Sequence, residues 1–237
     1  MISVCMASYN GEKYIKEQIL SVLDNLNKED ELVISDDKST DSTRDIVNEI
    51  AGKDDRVKLV DGPRKGVIAN FENAIINAKG DYIYLCDQDD LWEPDKVSSV
   101  QKCFSDNNST LVIHDADIVN QDGELINPSF FKFHGTKKGA VNNIIRNSYI
   151  GCCMAFKSDM LKYILPIPKN IEMHDQWIGV INDVKGKTVY LDKVLFHYRR
   201  HGNNVSEFTH HKVWKMIRNR VVFVVRLLVR IFQNIGK

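Results

Sequence analysis

An apolar run followed at once by three carboxylates constrains the fold of this chain more than any other feature. Residues 82–86 read Tyr-Ile-Tyr-Leu-Cys, as expected of a buried parallel strand, and Asp87, Asp89 and Asp90 follow within four positions. In open α/β sheets the carboxyl ends of strands face the ligand crevice. Clustered carboxylates there are costly unless a cation binds between them. The run therefore predicts an α/β sheet with a divalent metal at its edge, because hard cations take carboxylate ligands.

A structural alternative explains the same acids as an acidic turn that opens the next helix. Asp90 would then be the N-cap of that helix. Pro94 is predicted to be its first residue, where the missing N–H of proline costs nothing. Other polar clusters along the chain weigh against this alternative.

Strand and helix patterns alternate through the first half of the chain. The predicted strands cover 2–8, 31–35, 57–60 and the run up to position 87, and the predicted helices cover 12–26, 43–50, 67–78 and 94–104. This alternation with short connections predicts a parallel, doubly wound sheet, whose right-handed crossovers place the strand ends at one edge. Three polar clusters should then share one crevice: Ser8-Tyr9-Asn10, Asp36-Asp37 and Asp87-Gln88-Asp89.

The second half is more mixed. We predict a strand at 111–119, a loop-rich stretch at 120–140, a buried strand at 147–156, a helix from 174 to about 184 and a short strand at 195–198. No internal repeat or low-complexity linker divides the chain. The predicted organisation is one catalytic domain at 1–206, with halves at 1–107 and 108–206, followed by a basic amphipathic helix at 207–237.

The C-terminal segment is strongly basic. Residues 212–237 hold seven Lys or Arg and no acid, so the rest of this chain of zero formal net charge is near −7. Its apolar residues repeat at helical spacing, with basic residues clustered on the other side. Arg226 and Arg230 interrupt the apolar run, which favours a helix lying in the membrane interface over one that spans a bilayer. Packing on the catalytic domain or on a dimer partner is the alternative, so homo-oligomerisation stays open. Nucleic-acid binding is disfavoured, because no reading module is present.

The cysteines and the N-terminus bear on the compartment. The five cysteines are odd in number and show no Cys-x-x-Cys spacing, and strand-like sequence begins almost at residue 1 in place of a signal peptide. These features predict a reducing, cytoplasmic location. Together with the basic helix, they favour a peripheral position at the inner face of the cell membrane.

Six short motifs follow one another along the chain in an order that is typical of one enzyme family. They are Val4-Cys-Met-Ala-Ser-Tyr-Asn-Gly11, Asp36-Asp-Lys-Ser-Thr-Asp-Ser-Thr43, Asp87-Gln-Asp-Asp-Leu-Trp92, residues 151–161, His174-Asp-Gln-Trp177 and Tyr198-Arg-Arg-His-Gly-Asn-Asn204. Over about residues 1–206 the chain resembles family 2 glycosyltransferases, and most of all the rhamnosyltransferase-like enzymes of bacterial surface polysaccharide assembly. The resemblance implies an inverting, metal-dependent enzyme with the GT-A fold, a Rossmann-like, mostly parallel sheet flanked by helices.

The resemblance also implies a nucleotide site at the strand ends. Its candidate residues are Ser8, Tyr9, Asn10, Asp36, Asp37, Lys65 and Asp87. Asp37 matches the position that accepts a hydrogen bond from the pyrimidine ring. Uracil and thymine offer one imide donor to a carboxylate and cytosine does not, which favours a UDP- or dTDP-sugar donor. Helix capping is the alternative for Asp36 and Asp37, and the Arg usual before Asn70 in the family is Ala69 here.

By the same resemblance, Asp87 and Asp89 hold the metal, with Asp89 in the more direct contact. Mn²⁺ or Mg²⁺ suits such an oxygen-rich site, and the cation neutralises the departing diphosphate. His201 or His197 is a further candidate ligand. Arg199 and Arg200 are candidates to clamp the diphosphate or contact the acceptor.

Asp175 matches the catalytic base of the family. It would take the proton of an acceptor hydroxyl as the oxygen attacks C1 in one displacement. An acid that stabilises a helix N-terminus is the structural alternative. Processive members carry Gln-x-x-Arg-Trp followed by transmembrane helices, and the sequence shows neither, so we expect one sugar per encounter. The expected acceptor is a saccharide or a lipid-linked saccharide.

Two other functions stay open. A sugar nucleotidyltransferase would need a Gly-rich, Arg/Lys-bearing triphosphate loop near the N-terminus, and residues 8–11 do not supply one. A nonenzymatic sugar-nucleotide-binding scaffold subunit is disfavoured by the presence of both Asp89 and Asp175.

Overall fold

The computed structural model describes residues 1–202 and 213–233. Its strands are β1 (Ile2–Ser8), β2 (Glu31–Asp36), β3 (Val57–Asp61), β4 (Tyr82–Cys86), β5 (Leu91–Trp92), β6 (Leu111–Asn120), β7 (Leu125–Asn127), β8 (Met154–Lys157) and β9 (Thr188–Arg200). Its α-helices are α1 (Ile15–Leu23), α2 (Thr43–Ala51), α3 (Val67–Asn77), α4 (Lys96–Asn107), α5 (Phe130–His134), α6 (Ala140–Ile145), α7 (Leu161–Ile164), α8 (His174–Lys185) and α9 (Val213–Gln233).

All the strands belong to one sheet, with the order β3-β2-β1-β4-β8-β6-β9-β5 and with β7 beside β6. The first half forms the parallel part, because β1 pairs parallel with both β2 and β4, and β2 with β3. β1 and β2 are buried along their whole length, as strands covered by helices on both faces must be. The prediction of an α/β, mostly parallel sheet flanked by helices is confirmed.

The second half differs from the sequence prediction in two places. The expected strand at 147–156 is a 3-10 turn at Gly151–Cys153 followed by β8, which runs antiparallel between β4 and β6. The expected short strand at 195–198 is the end of the thirteen-residue β9, which pairs parallel with β6. The loop-rich stretch at 120–140 contains β7 and α5.

The segment after β4 corrects the helix-cap interpretation. Asp90 does not cap a helix, because β5 intervenes and pairs with β9. The helix α4 begins at Lys96 with Asp95 as its N-cap, so Pro94 lies before the helix and is not its first residue. The three acids after β4 are therefore held in a loop at the sheet edge.

The C-terminal helix α9 packs on the catalytic domain through one face. Phe223 and Leu227 are buried there, and the Phe223 ring meets Trp177 of α8 edge-on at 5.8 Å between centroids. Arg230 donates to the backbone carbonyls of residues 163, 165 and 166, and Arg220 donates to that of Ile145. The packing alternative therefore describes this face of the helix. Among the described helices, none combines the length and apolarity needed to cross a bilayer.

The opposite face of α9 is apolar and exposed. Its residues recur every three or four positions, so they form one stripe along the helix. They are Trp214, Ile217, Val221, Val225, Leu228, Val229 and Phe232, whose exposed fractions run from 44% to 78%. We call this set the outer stripe of α9.

Candidate active site

One cleft of about 1160 Å³ lies along the edge where the parallel strands end. Its wall includes Ser8 and Tyr9 after β1, Asp37 after β2, the acidic loop after β4, and Asp175 on α8. These residues are far apart in sequence, and the parallel topology brings them together, as the strand-end argument predicts. Of the predicted site residues, Ser8, Tyr9, Asp37, Asp87, Asp89 and Asp175 line this cleft.

Asp37 is the acid that connects the second and third strand-end loops. Its two carboxylate oxygens accept hydrogen bonds from the backbone N–H groups of Arg64, at 2.5 Å, and Gly66, at 3.0 Å. Gly66 adopts a φ of +83° and Arg64 one of +59°, in the left-handed region. Each carboxylate oxygen keeps a second lone pair, so Asp37 can still accept from a ligand in the cleft.

Three predicted nucleotide residues do not line the cleft. Asp36 is fully buried and accepts hydrogen bonds from Ser8, Ser39 and Arg44. Burial would raise the pKa of Asp36, but these hydrogen bonds outweigh it and leave the pKa below its ordinary value. Asp36 therefore stabilises the 36–39 turn from the interior, and it does not cap α2, whose N-cap is Ser42. The other two are Asn10, whose side chain accepts from the Thr40 backbone, and Lys65, which is exposed outside the cleft wall.

The three acids after β4 lie too close together, and too deeply buried, for their negative charges to be fully balanced by nearby positive groups. Burial and the neighbouring Asp89 raise the pKa of Asp87 to about 7. Burial raises the pKa of Asp89, against the opposing contact with His201. Burial and its two acidic neighbours raise the pKa of Asp90 well above its ordinary value. A cation bound among the three would relieve this repulsion.

One cation is already built into the protein behind these acids. The Lys96 side chain is fully buried, and its ammonium lies 3.8 Å from the centroid of the Trp92 ring. It donates to the backbone carbonyl of Cys152 at 2.8 Å. Trp92 is thus a structural residue that shelters a buried charge, since an aromatic face attracts an ammonium ion.

The donor set at the acidic loop fits a divalent metal. Nε2 of His201 lies 2.8 Å from Oδ2 of Asp89, and its ring stacks on Tyr14. On the inner side, ligand atoms of Asp87, Asp90 and Cys152 lie within 4.8 Å of one another. Oδ2 of Asp90 is buried there and has no hydrogen-bond partner among the described residues. The carboxylate oxygens of this set suit Mn²⁺ or Mg²⁺.

His197, the other histidine considered as a ligand, lies elsewhere. Its Nδ1 is 2.8 Å from Asp117 and its Nε2 is 3.2 Å from Glu93. The hydrogen bond with Asp117 raises the pKa of His197. Of the two histidines, the structure brings only His201 to the Asp-x-Asp loop.

Neither predicted arginine of the diphosphate clamp lines the cleft. The Arg199 guanidinium donates to Glu17 at 2.8 Å and lies over the Tyr14 ring at 4.7 Å. Arg200 donates to the Tyr198 hydroxyl at 3.4 Å. Side chains alternate across β9, so consecutive arginines cannot both face one site. Arg64, by contrast, lines the cleft wall.

Asp175 stands in the first turn of α8 with 5% of its surface exposed. It accepts hydrogen bonds from the backbone N–H of Gln176 and from Nδ2 of Asn147. Burial raises the pKa of Asp175 to about 6, close to that of an effective general base at neutral pH. Burial lowers the pKa of the adjacent His174 to about 3, so that imidazole stays neutral and stacks on Phe71 at 4.0 Å.

The roles of several cleft residues were not found by sequence reasoning. Gln88 was predicted to lie in the crevice as a member of the polar cluster after β4, but its role shows only in its contacts with the backbone of Tyr9. Lys215 and Asn219 line the cleft from α9, a segment that the sequence suggested was an appendage. Asn219 also donates to Glu172 on the cleft wall. Only the tertiary packing of α9 could reveal these contributions.

The sheet, the cleft and the acidic loop define a protein with the GT-A fold. The Staphylococcus aureus TarS 1-349 structure in complex with UDP-GlcNAc matches it with a TM-score of 0.75 at 19% identity, over 98% of this chain and 73% of that one. The model of the family described as Glycosyl transferase family 2 matches residues 3–165. The chain belongs to this family, and it is a glycosyltransferase.

Two relatives that match most of the chain are named as glycosyltransferases. TuaG of Bacillus subtilis (strain 168), named for teichuronic acid biosynthesis, is 27% identical over 236 residues, which cover 98% of this chain and 89% of TuaG. The Escherichia coli UDP-Glc:alpha-D-GlcNAc-diphosphoundecaprenol beta-1,3-glucosyltransferase WfgD is 27% identical over 208 residues, which cover 87% of this chain and 79% of WfgD.

Proposed function

We propose that this protein is an inverting, metal-dependent glycosyltransferase that uses a UDP- or dTDP-sugar. It transfers the sugar to a hydroxyl of a saccharide or lipid-linked acceptor in cell-surface polysaccharide synthesis. The observation that carries this proposal is that Asp37, the pair Asp87 and Asp89, and Asp175 all line one cleft. A UDP-sugar bound to TarS and the lipid diphosphate named for WfgD support the donor and the acceptor.

The reaction follows from the chemistry of these residues. Asp37 accepts a hydrogen bond from the imide N–H of the base and so orients the nucleotide. Asp175 accepts the proton of the acceptor hydroxyl, whose oxygen attacks C1 of the sugar as the bond from C1 to the diphosphate breaks. A divalent metal held by Asp87, Asp89 and His201 would neutralise the negative charge of the leaving diphosphate. One displacement inverts the anomeric configuration.

The nucleobase contact can be tested by Asp37→Asn. The carboxylate accepts from uracil, but an asparagine amide can also donate to the ring nitrogen of cytosine. We expect the ratio of UDP to CDP affinity to fall about tenfold, corresponding to roughly 1.4 kcal/mol. Titration calorimetry with both nucleotides measures this ratio.

The ratio separates base recognition from loop damage. Asp37 also holds the backbone at Arg64 and Gly66, so a loosened loop would weaken UDP and CDP equally. An equal loss for both would contradict the base contact. The donor sugar is then found by measuring UDP or dTDP release from a panel of sugar nucleotides. A wild-type protein that binds no nucleotide would overturn the whole proposal.

We further propose that the outer stripe of α9 lies on the surface of an anionic membrane. The described part of this helix carries five basic residues and no acid. Two copies facing each other through this helix would repel, whereas an anionic lipid surface attracts each of them. An apolar stripe flanked by basic residues is the pattern of helices that lie in the membrane interface. Lys215 and Asn219 on the cleft wall would then bring the cleft near a lipid-linked acceptor.

Charged substitutions in the outer stripe should abolish membrane binding. We expect Val221→Glu with Leu228→Glu to lower affinity for phosphatidylglycerol vesicles at least tenfold, because both side chains would leave the apolar phase. Val184→Glu on α8 is the matched control, since Val184 is an exposed apolar residue outside the stripe. Vesicle sedimentation measures binding. If the double variant instead halves the mass in light scattering, the stripe is a dimer interface.

A further inference from the structure

Gln88, the residue between the two acids of the Asp-x-Asp segment, holds the loop after β1. Its Oε1 accepts a hydrogen bond from the backbone N–H of Tyr9 at 2.9 Å, and its Nε2 donates to the Tyr9 carbonyl at 3.0 Å. The paired strands β1 and β4 end their ladder at Met6 and Cys86. The amide group of Gln88 therefore supplies one more donor and acceptor pair beyond the end of the ladder, as a neighbouring strand would.

Gly11 leaves the space that this amide needs. A Cβ atom at position 11 would lie 2.2 Å from Oε1, 2.4 Å from Cδ and 2.9 Å from Nε2 of Gln88. These three atoms are its nearest contacts. Gly11 does not have a positive φ, so its backbone would accept an alanine if Gln88 were absent. The glycine is thus required by the Gln88 side chain and not by the backbone conformation.

The loop that Gln88 holds is anchored on its other side to the loop after β2. The backbone N–H of Asn10 donates to Ser39, and its side chain accepts from the backbone N–H of Thr40. Asn10 also adopts a φ of +48°, which fixes the direction of the turn. Hydrogen bonds therefore join residues 9–11 to the 36–40 loop, and Gln88 joins both to the acidic loop.

We propose that Gln88 is a positioning residue that couples nucleotide binding to metal binding. Its amide sets the place of the acids Asp87 and Asp89 relative to the loop that bears Tyr9. A nucleoside diphosphate spans both, because its base lies against the strand-end loops and its diphosphate lies at the acids. Each ligand then favours the arrangement that the other needs, which is the definition of coupled binding. This inference rests on the proposed nucleotide and metal sites.

The test measures coupling and needs no turnover. Titration calorimetry gives the UDP affinity with and without Mn²⁺ for the wild type, Gln88→Ala, Gly11→Ala and the double variant. We expect Mn²⁺ to tighten UDP binding by the wild type, and Gln88→Ala to reduce that enhancement about fivefold or more. Binding of UDP without metal should be weakened less than binding of UDP with metal. A residue that served only general stability would lower both affinities together.

The Gly11 variants provide the sharper part of the test. Gly11→Ala alone should reproduce the loss of coupling, because its methyl group displaces the Gln88 amide. The double variant should be no worse than Gln88→Ala, since the three nearest contacts of the methyl group, all atoms of Gln88, are then removed. Additive losses, or unchanged coupling in Gln88→Ala, would overturn the proposal. Absence of UDP binding by the wild type would instead reject the proposed function.

Melting temperatures confirm that each variant is folded. Gln88→Asn replaces Gln88→Ala if that variant does not fold, because the asparagine amide is one methylene too short to reach Tyr9.

Discussion

Asp175→Asn should abolish sugar transfer and make the protein more stable at neutral pH. We expect kcat to fall by a factor of about 10²–10⁴, the usual contribution of a positioned general base. In the wild type, kcat should rise with pH through about 6, because burial raises the pKa of Asp175 to about 6 and only the ionised form accepts the proton. Measurement of kcat between pH 5 and 8, with saturating donor and acceptor, tests both statements.

The gain in stability follows from the same burial. The pKa of Asp175 is about 6 in the folded protein and about 3.8 when exposed, so the folded state disfavours the ionised form. The contribution of Asp175 to the free energy of unfolding is therefore highest below pH 4 and decreases as the pH rises to about 6. Two pKa units correspond to about 3 kcal/mol. Asparagine carries no charge, so the variant avoids this cost, but it loses one hydrogen-bond acceptor. The free energy of unfolding of the variant should therefore exceed that of the wild type by roughly 1–2 kcal/mol at pH 7.5.

Calorimetric melting at two pH values separates this effect from general changes. The Asp175→Asn variant should melt a few degrees above the wild type at pH 7.5 and lose that advantage at pH 4. Asp159→Asn is the control, because Asp159 is an exposed acid in a turn outside the cleft. A variant that melts below the wild type at pH 7.5 would show that the carboxylate serves the fold. An active Asp175→Asn enzyme would remove Asp175 as the base.

Removal of the metal should have the second large effect. With EDTA we expect transfer to fall to background, because the leaving diphosphate would then lack its neutralising charge. Asp89→Asn should weaken Mn²⁺ binding about 100-fold, and His201→Ala about tenfold, since His201 contacts the Asp89 carboxylate at 2.8 Å. Electron paramagnetic resonance of free Mn²⁺ measures these affinities directly and without substrate.

Two further variants locate the metal within the acidic loop. Asp81→Asn is the matched control, because Asp81 lies at the opposite end of β4 and pairs with the N-terminus. Cys152→Ser probes the inner group of Asp87, Asp90 and Cys152. If Cys152→Ser weakens Mn²⁺ binding more than His201→Ala does, the metal lies on the inner side of the loop. If Asp89→Asn binds Mn²⁺ as the wild type does, Asp89 is not a ligand.

The parallel half of the fold could be predicted from sequence because its central strands β1, β2 and β4 are buried on both faces. Apolar runs such as 82–86 identify such strands without any tertiary information. The second half could not be predicted as well. Residues 188–194 include polar side chains, and they join β9 because their backbone pairs with β6. Likewise, β8 is short, and its antiparallel direction depends on the turn at Gly151–Cys153.

The site residues could be predicted where a sequence motif specifies the residue type. They could not be predicted where the direction of a side chain decides whether it reaches the cleft. Asp36 and Asp37 are adjacent acids at a strand end, and the pleat turns one into the interior and the other to the cleft. The same alternation directs the Arg199 side chain toward Glu17. The position of Gln88 in the crevice was predicted, but its contact with Tyr9 was not, because its partner is a backbone group and the sequence pattern carries no sign of such a contact.

The burial of the cysteines has a practical consequence for observing this protein at work. All five are free thiols, and none exposes more than 7% of its surface. Buried thiols of raised pKa react slowly with maleimides, which attack the thiolate. A single cysteine placed at Trp214 on α9 would therefore take a fluorescent label selectively, with the native thiols left in place. Its emission would report when that end of the helix leaves water, in real time and during turnover.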